Sequence, residues 1–253
     1  MPLYNRIGRT YSVTRRPEPR IERAIHAALG DAATVVNVGA GAGAYEPTDR
    51  ELVAVEPSAV MTAQRKPSST RVVEAFAERL PFGDGEFEAS MAVLSDHHWS
   101  DRVQGLRELR RVARRRVVLF NADPGENARF WMTTEYLPGF VELIEPRYRV
   151  AGAWQRELRT ILGDVELRPV PISHDCADGF YGAYWRRPEA FLDPVIRGGI
   201  SVFSQLPAQQ VTQGLAALAD DLRSGALRDR HRDLLELDEL HLGYYVVVAE
   251  LTG

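Results

Sequence analysis

Short β-branched runs alternate with amphipathic stretches along the first half of the chain. Val35, Val36 and Val38 form a short β-branched run. Such a run predicts a strand buried on both sides of a parallel sheet. Before it, Ile21, Ala24, Ile25, Ala28 and Leu29 recur at helical spacing over 20–29, and Gly30 stands where that helix would stop. Further strands are predicted over 52–55, 71–75, 87–94 and 117–120, with a helical turn over 58–64. A helix begins after Asp101, which has the spacing of a capping box with Gln104. Val103, Leu106, Leu109 and Val112 make its apolar side. The connection over 42–51 is too short for a regular crossover helix and is expected to be irregular. Strands and helices alternating in this way predict an α/β domain on a doubly wound, mostly parallel sheet.

The pattern changes after 120. Residues 121–150 carry no core periodicity but hold Phe130, Trp131, Tyr136, Phe140 and Tyr148. A helix is predicted over 154–162 and a strand over 165–172, placed at a sheet edge by Pro169 and Pro171. A second aromatic stretch, Phe180 to Trp185, is followed by predicted helices over 207–222 and 227–237 and a last strand over 244–251. The expectation is one domain over 1–253, with an N-terminal arm over 1–19 and helical insertions over 124–152 and 174–243. Trp131, Tyr136, Phe180, Tyr184 and Trp185 either wall an apolar pocket or glue the insertions to the sheet. Arg186 and Arg187 either meet an anionic substrate or end a surface helix.

Composition narrows the partners. Net charge is −4, with 45% hydrophobic and 26% charged residues, so nothing draws the chain as a whole toward nucleic acid or an anionic membrane. Cys176 is the only cysteine, which excludes an internal disulfide framework and a cysteine-only zinc site. The sequence has no apolar run of about 20 residues and no apolar segment at its N-terminus, so a cytoplasmic protein is expected. Arg107, Arg110, Arg111, Arg114, Arg115 and Arg116 cluster at a predicted helix end. Without interleaved aromatics they read as a solvated face that complements the helix C-terminus. Oligomeric state is open.

The chemistry concentrates at 34–57. The first strand ends in Gly39, Gly41 and Gly43, where the backbone can turn sharply and approach a ligand with no Cβ in the way. The second strand ends in Glu56-Pro57, a carboxylate placed to accept hydrogen bonds from two ribose hydroxyls. Strand, glycine turn, strand and acid predict a nucleotide-containing cofactor. Gly39-x-Gly41-x-x-Ala44 also matches the dinucleotide fingerprint, which keeps a nicotinamide-dependent oxidoreductase as the alternative, and a non-catalytic descendant of the fold as a second.

The wider string Val-Gly-Ala-Gly-Ala-Gly followed by Glu56-Pro57 resembles the S-adenosylmethionine site of class I methyltransferases. Residues 77–88, Ala-Glu-Arg-Leu-Pro-Phe-Gly-Asp-Gly-Glu-Phe-Glu, resemble a string of the ubiquinone/menaquinone-biosynthesis type, as does the His97-His98-Trp99 turn after the fourth strand. These elements cover roughly residues 10–123. The resemblance implies a Rossmann-like sheet with an antiparallel last strand, bearing helical lid insertions, and methyl transfer to a small-molecule acceptor, a natural product or metabolite.

It further implies cofactor contacts at Gly39, Ala40, Gly41, Gly43, Glu56, Pro57, Phe76, Ala77 and Leu94, with Arg16 from the arm on the cofactor carboxylate. Phe76 stands where the family has an acid beside adenine, so packing by Phe76 and the Ala77 backbone would replace that contact. His97, His98 and Tyr11 are the candidate catalytic groups. One imidazole, His97 first, would take a proton from the acceptor or orient it; the other reading has one His capping the loop while Trp99 anchors it. No metal site is expected, because adjacent histidines seldom converge on one ion.

Overall fold

The computed structural model describes residues 11–251 except Ser69, and their side chains except those of Tyr11 and Ser12. Helix α1 (Pro19–Leu29) starts with Pro19 in its first turn and is capped by Glu18, whose carboxylate accepts from Arg20 N. It buries Ile21, Ile25, Ala28 and Leu29, and ends at Gly30, where φ is 57°. Strands β1 (Thr34–Val38), β2 (Glu51–Val55), β3 (Arg71–Val73), β4 (Phe87–Val93) and β5 (Ala113–Ala122) follow. The short helix α2 (Ala59–Thr62) lies after β2, and α3 (Arg102–Val112) joins β4 to β5. Asp101 Oδ1 accepts from Gln104 N at 2.9 Å, the expected cap. The β1–β2 connection has no helix, as its length required.

The large sheet has the order β3-β2-β1-β4-β5-β9-β6, where β6 spans Val165–Pro169 and β9 spans Tyr244–Glu250. The first five strands are parallel, with Val38 beside Val55 and Asn37 beside Met91. That register brings the ends of β1, β2 and β4 to one carboxyl edge. Strand β9 (Tyr244–Glu250) runs antiparallel between β5 and the edge strand β6 (Val165–Pro169). The expected strand over 165–172 is broken: β7 (Ile172–Ser173) leaves to pair with β8 (Glu239–Leu240) in a separate two-stranded sheet. Pro169 and Pro171 lack the N–H groups that would continue the ladder.

Residues alternate between the two faces of the sheet. Val36 and Val38 of β1, Val117 and Leu119 of β5, and Val247 and Ala249 of β9 pack with α3 and with α4 (Ala153–Leu162). Val35, Val118, Phe120, Val246 and Val248 pack with α1. Both insertions join this second core. Trp131 Nε1 donates to the Trp185 carbonyl at 3.1 Å, and Trp185 Nε1 donates to the Ile172 carbonyl at 2.9 Å. The aromatic stretches therefore knit the insertions to each other and to the chain leaving β6.

Helix α5 (Ala208–Ser224) lies across this layer, and the helix expected over 227–237 is two short ones, Ala226–Arg230 and Arg232–Leu235. The basic cluster is also divided. The helix ends at Val112, so Arg114, Arg115 and Arg116 lie on β5. They pair there with Glu88, Asp31 and Glu250, while Arg111 pairs with Glu108 and Asp84. No helix among the described residues is long and apolar enough to cross a membrane.

Candidate active site

At the carboxyl edge the backbone turns out of β1 through residues that need positive φ: Gly39 at 70°, Gly41 at 53°, Gly43 at 84° and, unusually for a residue with a side chain, Tyr45 at 64°. The turn is held by Gly39 N and Ala40 N, which donate to the Val55 carbonyl at 2.9 and 3.0 Å. A Cβ on Gly39 would come within 2.6 Å of Ser95 Cβ, so the turn and the end of β4 touch with no side chain between them. Glu56, 7% exposed, accepts from Gly41 N and Ser58 N, one bond of 2.8 Å to each carboxylate oxygen. Burial raises its pKa, and the two N–H groups oppose that rise.

Around the turn lies a cavity of about 670 Å³. Of the residues expected to hold a cofactor, Gly39, Ala40, Gly41, Glu56, Pro57, Phe76, Ala77 and Leu94 line it. Gly43 and Arg16 do not. Gly43 backs onto the Arg65 guanidinium, and the Arg16 side chain points to solvent while its backbone N–H donates to Asp178. The arm contributes Arg15 instead. The sequence reading also missed Asn37, which is 1% exposed. Its Nδ2 donates to Glu46 at 3.1 Å, while its Oδ1 has no partner. Asn37 could have been found, because a polar residue inside the apolar run of β1 has to be satisfied by something at the carboxyl edge.

A second cavity, about 460 Å³, opens beside the first. The two share Arg15, Leu94, His98, Trp99 and Ser100 as a common wall. Leu94 has φ of 49° and turns β4 into the short 3-10 helix Asp96–His98, which carries His98 to this wall and His97 to the second cavity. His98 faces both cavities and His97 the second alone, their ring centroids 3.9 Å apart. Desolvation by the surrounding protein lowers the pKa of both imidazoles, although His97 is open to the cavity; for His97 the Asp96 carboxylate opposes this, and Arg102 and Arg15 add to it, while for His98 the neighbouring His97 and Arg15 add to it. Tyr11 belongs to a one-turn helix, but its side chain lies outside the described residues.

Insertion residues close the second cavity, among them Phe140, Ile144, Phe180, Tyr181, Ile200 and Val202. Of the five aromatics proposed as a wall, only Phe180 lines it. Trp131, Tyr136, Tyr184 and Trp185 are absent from that wall and are packed inside the insertions. Arg186 and Arg187 bond to the backbone carbonyls of Leu237, Cys176 and Ala183, and neither lines either of these two cavities. The floor is polar. Asp96, 1% exposed, takes Asn121 on one oxygen and Arg102 Nε, at 2.8 Å, on the other. Arg102 and Arg147 converge on Glu157, which also accepts from the Tyr148 hydroxyl at 2.6 Å. Among the described residues no cluster of three His, Cys, Asp or Glu side chains is placed to hold a metal ion.

A buried ion pair ties the parts together. Arg15 Nε meets Asp178 Oδ1 at 2.7 Å, and the Tyr45 hydroxyl donates to Asp178 Oδ2 at 2.7 Å. Asp178 belongs to the second insertion, Tyr45 to the glycine turn and Arg15 to the arm, so one carboxylate joins all three.

Residues 36–120 match the family described as a methyltransferase domain. A methyltransferase from Anabaena variabilis, named for an antibiotic biosynthesis pathway, superimposes with a TM-score of 0.83 at 28% identity, over 94% of this chain and 99% of that one. The YcgJ protein of Bacillus subtilis shares the fold, with a TM-score of 0.55 at 20% identity over 93% and 99% of the two chains. The uncharacterized protein YafE of Escherichia coli K12 is 28% identical over 148 residues, 56% of this chain and 68% of that protein. With the sheet order and the glycine turn at its carboxyl edge, these likenesses bear out the class-level resemblance read from the sequence. The chain carries a methyltransferase domain on the fold of the class I S-adenosylmethionine-dependent methyltransferases.

Proposed function

We propose that the first cavity binds S-adenosylmethionine and that the second holds a small-molecule methyl acceptor. The observation that carries this reading is the shared wall at Arg15, Leu94, His98, Trp99 and Ser100, where a donor in one cavity faces an acceptor in the other. The residues present suit the cofactor. Glu56 has one bond on each oxygen and can take ribose hydroxyls on its remaining lone pairs. The unpartnered Asn37 Oδ1 is an acceptor for an ammonium group. Phe76, 56% exposed although large and apolar, offers a face to a flat base at the cavity edge. Gly41 keeps the cradle open, since a Cβ there would sit 3.3 Å from Met61 Cε.

When bound, the cofactor supplies a methyl group already activated by a positive sulfur. The chain's part is then to align the acceptor and keep water away. The insertions cover the second cavity with aromatic and aliphatic side chains, and the Asp96 end of its floor offers polar partners. An apolar body with one polar end fits such a space. The Anabaena relative's name makes a secondary metabolite the acceptor class to test first.

The deciding experiment is a calorimetric titration with S-adenosylhomocysteine, with NAD and NADP run beside it. Micromolar binding of the first alone is expected, followed by label transfer from S-adenosylmethionine in an acceptor screen. Binding of a nicotinamide nucleotide instead would overturn the reading of the cavity.

A further inference from the structure

Asn121 lies one residue before the end of β5, at the floor of the second cavity, and its amide has no choice of orientation. Oδ1 accepts from Ala122 N at 2.8 Å, a group that can only donate. Nδ2 faces the Asp96 carboxylate, which is paired with Arg102 and accepts. A flipped amide would set oxygen against carboxylate and NH₂ against N–H, two repulsive contacts in a site where Asp96 is almost wholly buried. The second Nδ2 hydrogen therefore points to His97 Nδ1, 3.3 Å away. A nitrogen that faces a donor is itself an acceptor. His97 Nδ1 thus carries the lone pair, and the neutral ring carries its proton on Nε2.

We infer that His97 is a hydrogen-bond donor to the acceptor substrate, fixed in its Nε2–H tautomer by Asn121 and Asp96, and that the substrate is an enol or phenol bound as its oxyanion. The inference rests on the reading of the second cavity as the acceptor site. The groups facing His97 agree with it. Each charge facing His97 is matched: Asp96 by Arg102, Arg102 also by Glu157, and Arg15 by Asp178, while His98 stacks on the ring. With Nε2 already protonated and these carboxylates already paired, no base faces the acceptor there, so its nucleophilic oxygen arrives without a proton. The remainder of the cavity is the apolar wall of Phe140, Ile144, Phe180 and Val202, which suits the carbon skeleton.

The step balances without a base. The substrate enters as an anion, and an electron pair of its oxygen, or of the conjugated carbon of an enolate, forms the new bond to the methyl carbon. The pair of the breaking carbon–sulfur bond stays on sulfur, so one positive and one negative charge disappear and no proton is left to remove. His97 holds the oxygen through Nε2–H, and Asn121 is the positioning residue that keeps the hydrogen there.

The test reads the tautomer directly. Protein labelled with ¹⁵N-histidine and saturated with S-adenosylhomocysteine is examined by long-range ¹H–¹⁵N correlation between pH 5.5 and 8, with His97→Gln identifying the signal. A neutral Nε2–H ring at pH 7.5 is expected; an Nδ1–H ring or an imidazolium at that pH overturns the inference while leaving the cofactor reading intact. In Asn121→Asp an acceptor faces Nδ1, and the ring should gain a proton there and titrate at least tenfold closer to neutrality. An unchanged His97 signal would remove Asn121 from the role. As a substrate probe, 4-nitrophenol is titrated into the same complex at 400 nm. The anion should bind roughly tenfold more tightly than the phenol, with the preference lost in His97→Gln. Preference for the neutral phenol, or no binding of either form, counts against the oxyanion class.

Discussion

Asp178→Ala is the substitution that most directly tests how the site is held together. The carboxylate is 2% exposed and accepts five hydrogen bonds: Arg15 Nε at 2.7 Å, Arg15 Nη2 at 3.2 Å, Arg16 N at 3.2 Å, Tyr45 OH at 2.7 Å and Gly179 N at 2.7 Å. The guanidinium side chain is itself 8% exposed, so the pair is desolvated on both sides. Removing one partner of a buried pair costs about 3–5 kcal/mol, because the other charge stays behind. Water entering from the cavities beside Arg15 pulls the expected value toward the lower end.

Asp178→Asn keeps the volume and one acceptor oxygen, and the Tyr45 hydroxyl can rotate to accept, so a loss of about 2 kcal/mol is expected. Urea unfolding followed by tryptophan fluorescence gives the global cost. Hydrogen exchange at the Arg16 and Gly179 amides shows whether arm and insertion detach before the sheet opens. A loss below about 1 kcal/mol for Asp178→Ala, with the Gly179 amide still protected, would refute the view that this carboxylate joins arm, turn and insertion.

Glu56→Ala should weaken S-adenosylhomocysteine binding by on the order of 1–3 kcal/mol in calorimetry; unchanged affinity would take Glu56 out of the site. Gly105→Ala places a methyl group into the Trp99 ring. Overpacking of about 1–3 kcal/mol should outweigh the roughly 1 kcal/mol that alanine adds to a helix, and because Trp99 lines both cavities, cofactor affinity should fall with stability. A more stable variant with full affinity would show that the ring moves at no cost. His98 stays neutral in the fold below the ordinary imidazole pKa of 6.5, so as pH falls through about 6.5 the unfolded chain takes up a proton that the folded one refuses. Its contribution to stability is intact above that pH and lost below it. Urea midpoints at pH 7.5 and 5.5 should therefore differ less in His98→Asn than in the parent, and an equal difference would sink the assignment.

What the sequence made legible follows from where its signals are local. Val35-Val36-x-Val38 before glycines can be read without knowing the fold, because period, branching and punctuation lie within a few residues of one another. Eight of the ten expected cofactor contacts line the first cavity, several of them expected from the family resemblance and not from this local pattern. Arg16 failed by one position. The backbone of the arm turns so that Arg15 reaches a carboxylate 163 residues away, and no local pattern carries that partner. The insertion aromatics were legible as a group and illegible as individuals. Phe180 and Trp185 are five positions apart in one stretch, yet one lines the cavity and the other donates to the Ile172 carbonyl. That division is set by three-dimensional packing between two insertions, and sequence spacing does not report it.

Asn121 shows the other limit. Its place at the end of an apolar run marks it as an edge residue, by the same logic that singled out Glu56. Its consequence depends on three partners, one on β5 and two on the 3-10 helix after β4, and on the direction of every donor among them. Sequence reading placed an imidazole at the edge and assigned it a proton to take or an acceptor to orient. The hydrogen-bond directions around Asn121 favour the second task, since a ring whose Nδ1 already accepts has a proton on Nε2 to offer. Residue type thus set the range of chemistry open to His97, and the orientation of one neighbouring amide selects within that range.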